Sequence, residues 1–140
     1  MACLCWEADV NPSAGRFRIG KQFGFDASHQ LSDLPDGHKC ARLHGHTYTV
    51  EVVVAADTLT GPGFVTDFGD LTPLRSYLGD HLDHRHLNDV LAVAPTAENL
   101  AGHLAAWCQT HLDPTIPGRV VAVRVSETPS SWAVWEASLP

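Results

Sequence analysis

The chain has 140 residues, 44% hydrophobic and 18% charged, with a formal net charge of -7. That composition describes one globular domain able to bury its own core, not a disordered segment. No apolar run approaches the roughly 20 residues of a membrane-spanning helix, and the acidic balance argues against a general nucleic-acid or anionic-membrane surface.

Met1 to Gly15 has neither a basic start nor a long apolar stretch, so it reads as a flexible tail and not as a signal peptide. Residues 16–140 then form a single domain. Phe17, Ile19, Lys21, Phe23, Phe25, Ala27 and His29 share one parity, which predicts a long strand with a histidine at its far end. Ser32 to Gly37 is turn chemistry throughout. A second strand, His46 to Ala56, is expected to pair antiparallel with the first. Asp57 to Gly63 is a further turn, and Phe64 to Phe68 a short extended piece.

Thr72 followed by Pro73 predicts a helix start, with Thr72 as cap and Leu74, Tyr77, Leu78 and Leu82 facing the sheet. Thr96 is the expected cap of a second helix, whose buried stripe is Leu100, Leu104, Trp107, Cys108 and His111. Arg119 to Glu127 predicts a strand with Val121, Val123, Val125 and Glu127 on one face. Trp132 to Glu136 is the last. The order strand, strand, helix, helix, strand, strand gives an α+β domain: a four-stranded antiparallel sheet with two helices on one face.

Four cysteines (Cys3, Cys5, Cys40 and Cys108) make no Cys-x-x-Cys pair, and nothing supports disulfides, so a cytoplasmic protein is expected. A single histidine is more often a structural hydrogen-bonding residue than a ligand. Here His29 ends one strand, and His44 and His46 open its partner two residues apart on one face. An antiparallel pairing lets all three meet. Three nitrogens with a fourth position open is the pattern of catalytic zinc.

Cys40 lies between Lys39 and Ala41, with Arg42 close by. Positive charge favours a thiolate, so it reads as a base or nucleophile, or alternatively as a fourth metal ligand; the plain alternative is an inert cysteine. Asp83-His84 is either a charged helix end or a carboxylate holding an imidazole's tautomer for proton relay. His81 and His86 read as solvated or capping residues. Glu127 ends an apolar strand face. It either reaches solvent or accepts two hydrogen bonds from an amidine-like edge such as a pterin or guanine ring.

The set FDASHQL, KCARLHGHTYTVEV, FVTDFGDL, LDHRHLND, PTAENLA and VRVSET, in order from Phe23 to Glu127, resembles the 6-pyruvoyl-tetrahydropterin synthase superfamily. The Cys40 to His44 spacing is most similar to its 6-carboxy-5,6,7,8-tetrahydropterin synthase branch; pyruvoyl-type members space these residues further apart. The resemblance implies a tunnelling fold assembled into a homo-oligomeric ring, usually a hexamer, with sites at subunit contacts. It implies zinc on His29, His44 and His46, proton transfer by Cys40, Asp83 and His84, and a pterin ring anchored by Glu127 with Thr96 nearby.

The implied reaction is a zinc-dependent lyase step. It takes 7,8-dihydroneopterin triphosphate to 6-carboxy-5,6,7,8-tetrahydropterin with release of acetaldehyde and triphosphate, on the way to 7-deazaguanine and queuosine-type 7-deazapurines. Pyruvoyl-type synthase activity and a non-catalytic pterin- or purine-binding metalloprotein are the alternatives. By charge, Lys39, Arg42 or His38 would screen the triphosphate. Ala97 departs from the Ser or Thr that relatives often carry, and Arg85 and Trp132 match no family position.

Overall fold

A computed structural model describes residues 16–138, and the expected tail at 1–15 lies outside them. Strand β1 (Phe17–His29) is followed by a 3-10 turn at Lys39–Ala41 and by β2 (His44–Ala56). A second 3-10 turn, Phe68–Leu71, leads into α1 (Thr72–His81), then β3 (Arg85–His86), α2 (Leu87–Val90) and α3 (Ala97–His111). The chain closes with β4 (Arg119–Thr128) and β5 (Ser131–Glu136). The sheet order is β3-β1-β2-β4-β5. Among the described residues, no helix is long and apolar enough to cross a membrane.

The four long strands pair antiparallel as expected. The fifth, β3, runs parallel to β1 through Ala27 and Ser28. Two residues carry no readable periodicity, which is why the sequence gives no sign of it. The alternation in β1 and β2 sends Phe23, Phe25, Ala27, Tyr48, Val50, Val52 and Val54 into the core. There they meet Leu74 and Leu78 of α1 and Leu100, Leu104 and Cys108 of α3. Each such aliphatic side chain contributes about 1.5–3 kcal/mol when fully withdrawn from water. On the other face of the sheet Gln22 Nε2 donates to Glu51 at 3.0 Å, and Trp132 and Val134 of β5 are exposed.

Three local expectations are corrected. Thr72 is the first helical residue and not the cap; Leu71 is the cap, and the Thr72 hydroxyl donates to the Gly69 carbonyl at 2.7 Å. The expected face of β4 is broken by a bulge. Val53 opposes Ala122 while Val54 opposes Val120, so Val120 takes the buried place assigned to Val121. His111 is exposed and Trp107 half-buried, because the buried stripe of α3 runs through Leu100, Ala101, Leu104, Ala105 and Cys108 and so lies toward the alanines. Thr96 does cap α3, accepting from Asn99 N at 3.1 Å.

Candidate functional site

The β1–β2 register pairs His29 with His44 and Ala27 with His46, so the three imidazoles share the core-side face at one end of the sheet. His29 is buried, only 1% exposed. Its Nε2 lies 2.9 Å from His44 Nε2 and 3.2 Å from His46 Nε2. Two of the rings are fixed from behind: His29 Nδ1 sits 2.7 Å from the Pro95 carbonyl, and His44 Nδ1 sits 2.7 Å from the Arg42 carbonyl. A carbonyl oxygen only accepts, so each Nδ1 carries its proton, and in the ring's metal-binding form the Nε2 lone pair turns inward.

Lone pairs facing each other at 2.9 Å repel unless a cation lies between them. The donor set therefore fits a metal. Ligand nitrogens on one tetrahedral zinc lie about 3.3 Å apart, given bonds of about 2.0–2.1 Å. The carbonyls that fix the tautomers are the outer partners such ligands need. Burial lowers the pKa of His46, opposed by the nearby Glu127 carboxylate and reinforced by the other two histidines, which keeps the ring in its metal-binding form. These three rings could hold a metal ion, and their donor set is consistent with zinc.

Glu127 sits at a second bulge. Ser126 opposes Trp132 but Thr128 opposes Ser131, leaving Glu127 as the extra residue on β4. That kink brings its carboxylate to 3.8 Å from His46 Nε2. Glu127 and Thr96 line one cleft of about 240 Å³, together with Leu31, Ala97, Glu98 and Trp132. The sequence reading missed Leu31 and Glu98 there, since nothing in their spacing distinguishes them from loop and helix-start residues.

Cys40 lies half-buried in the turn between β1 and β2. Its N–H donates to His38 Nδ1 at 3.1 Å, and its carbonyl accepts from Leu31 N at 3.1 Å, so the backbone under the thiol is held at both ends. Among the described residues two groups converge, the three imidazoles and Asp26 with Asp83 and His84, and Cys40 is part of neither. Lys39 and Arg42 are exposed beside it.

Asp83 and His84 do pair, with Oδ2 and Nδ1 3.0 Å apart. The structure does not bring them to the histidines. They dock on Asp26, which alternates with Ala27 and so faces away from His29 and His46. His84 has φ of +56°, a left-handed conformation that costs a non-glycine residue about 1–2 kcal/mol. The Asp83 carboxyl is held below its usual range, chiefly by the Asp26 N–H and next by His84. His84 lines an open cleft of about 530 Å³ with Asp26, Ser28, Thr47, Arg85 and His86. His86, expected to be solvated, is half-buried with Nδ1 3.0 Å from Ser28 Oγ, while His81 is exposed beside Tyr77.

The sequence profile of the family described as 6-pyruvoyl tetrahydropterin synthase matches residues 18–138. A 6-carboxy-5,6,7,8-tetrahydropterin synthase of Synechocystis sp. is 43% identical over 122 residues, covering 82% of this chain and 89% of that protein. A dihydroneopterin monophosphate aldolase of Pyrococcus furiosus is 34% identical, covering 78% and 86% respectively. The solved 6-pyruvoyl tetrahydropterin synthase of Caenorhabditis elegans superposes with a TM-score of 0.75 at 24% identity, covering 89% of this chain and 97% of that one, a likeness of fold.

Proposed function

The chain belongs to the 6-pyruvoyl tetrahydropterin synthase family, and we propose that it converts 7,8-dihydroneopterin triphosphate and water to 6-carboxy-5,6,7,8-tetrahydropterin, acetaldehyde and triphosphate. The product would feed 7-deazapurine formation in the cytoplasm. The observation that carries this reading is the zinc-type histidine cluster opened by the same loop that holds Cys40, four residues before His44. Relatives named for this activity align along most of the chain.

Zinc on His29, His44 and His46 would act as a Lewis acid toward the substrate's side-chain oxygens. The remaining work falls to the chain itself. Glu127, raised by its bulge, accepts two hydrogen bonds from the pterin edge and fixes the ring's orientation, with Thr96 beside it in the cleft. Cys40 moves protons at the carbons next to the ring. His84, its tautomer held by Asp83, returns or receives those protons. Lys39 and Arg42 lie on the open side of that loop, where a triphosphate would sit.

The Asp83–His84 pair faces away from its own chain's histidines, which supports a ring of subunits, a hexamer in this reading, in which each pair serves a neighbour. Incubation with 7,8-dihydroneopterin triphosphate, with products identified by mass spectrometry, tests the proposal. Acetaldehyde with the carboxy product is the expected result. A pyruvoyl product would move the protein to the other branch, and no turnover would leave a pterin-binding metalloprotein. Cleavage confined to the monophosphate would match the aldolase relative.

A further inference from the structure

We propose that Asp26, braced by Thr47, is the positioning residue for the Asp83–His84 pair, an inference that rests on the catalytic reading of that pair. Aspartate is depleted in strand interiors, yet Asp26 occupies one in β1, on the face away from the metal-type centre. Its main chain makes two bonds to the pair. The Asp26 N–H donates to Asp83 Oδ1 at 2.9 Å, and its carbonyl accepts from His84 N at 2.6 Å.

The Asp26 side chain is tied in turn to the directly opposed residue of β2, with Thr47 Oγ1 donating to Asp26 Oδ1 at 2.6 Å. The Asp26 and Asp83 carboxylate oxygens and a His84 ring nitrogen all lie within 4.8 Å of one another. Asp83 and His84 sit between the end of α1, where Asp83 N donates to the Leu78 carbonyl at 2.8 Å, and the two-residue β3, which pairs with Ala27 and Ser28. The cross-strand Asp26–Thr47 bond stiffens the rung to which Asp83 and His84 are fixed. It thereby sets where the His84 ring points.

Thr47 faces away from His46's side of the sheet and is exposed, so its substitution spares both the core and the metal ligands. In the zinc-loaded protein, Thr47→Val is expected to lower kcat about five- to tenfold with KM and zinc content unchanged, and Asp26→Ala to show the same split. Thr47→Ser, which keeps the hydroxyl, restores the rate. Nitrogen-15 spectra of the His84 ring, recorded without substrate, should show one tautomer, protonated on Nδ1, in the parent protein and a mixture in Thr47→Val.

An unchanged kcat and spectrum in Thr47→Val would overturn the proposal. So would a loss of zinc or a rise in KM that accounts for the drop in rate. The ring spectrum is read without turnover, so it decides the brace even if the protein processes no pterin.

Discussion

The three-histidine cluster and the Asp83–His84 pair both depend on the last four residues of β1, but they sit on opposite faces of it. His29 points inward, is almost fully buried, and closes the cluster with two residues of the adjacent strand. Asp26, three positions earlier, points outward and holds a pair whose imidazole is 77% exposed. The cluster is complete within one chain, because a two-strand register is enough to make it. The pair is held in place by the same strand but addresses the surface. A strand has two faces and successive residues alternate between them, so one short segment serves two chemical tasks without their interfering.

The sharpest break in this comparison is His44→Ala. Removing one of three ligands should abolish stoichiometric zinc, measured by atomic absorption, and reduce turnover by at least about a hundredfold. Retained zinc would remove His44 from the centre. The pair should behave differently. Cys40→Ala and His84→Ala are each expected to keep zinc while losing turnover by roughly a hundredfold or more. If the pair serves a neighbouring subunit, dissociating and co-assembling the two variants should recover a measurable fraction of activity. No recovery, with mixed assemblies demonstrated by mass spectrometry, would place the pair and the thiol in one subunit's site.

The smallest effect concerns Asp83. Its folded pKa is depressed, chiefly by the Asp26 N–H, so the folded state binds fewer protons there than the unfolded chain. Its stabilising contribution is therefore present above the ordinary carboxylate range and is lost as pH falls through the lowered folded value. Asp83→Asn should lower stability slightly near neutrality and leave it unchanged at low pH, which flattens the acid limb of the stability curve. An acid limb identical to the parent's would mean that the hydrogen bond from Asp26 does not favour the ionised form.

Much of this was legible before any coordinates. His29, His44 and His46 could be placed together because their parity and the antiparallel pairing of neighbouring strands leave one arrangement. Thr96 could be placed as a cap from its position before an amphipathic run. Cys108 could be separated from Cys40 because it falls on a helix stripe; burial leaves its thiol inert, pushed up to about 12. Val121 could not be placed, because a bulge shifts its parity, and a bulge is decided by the partner strand. Glu127 was flagged by its place at the end of an apolar strand face, but its approach to His46 depends on a second bulge that leaves no mark in the spacing.

Local spacing, then, determined the elements, the metal-type cluster and the loop that carries the thiol, since each depends on residues near in sequence or on adjacent strands. Tertiary structure alone decided that Asp83 and His84 would bind to Asp26, 57 positions away from Asp83, on the face opposite the histidines. It also decided that β3 would exist at all. Those outcomes follow from hydrogen bonds between distant backbone segments, whose partners are chosen by packing and not by the pattern of side chains along the chain.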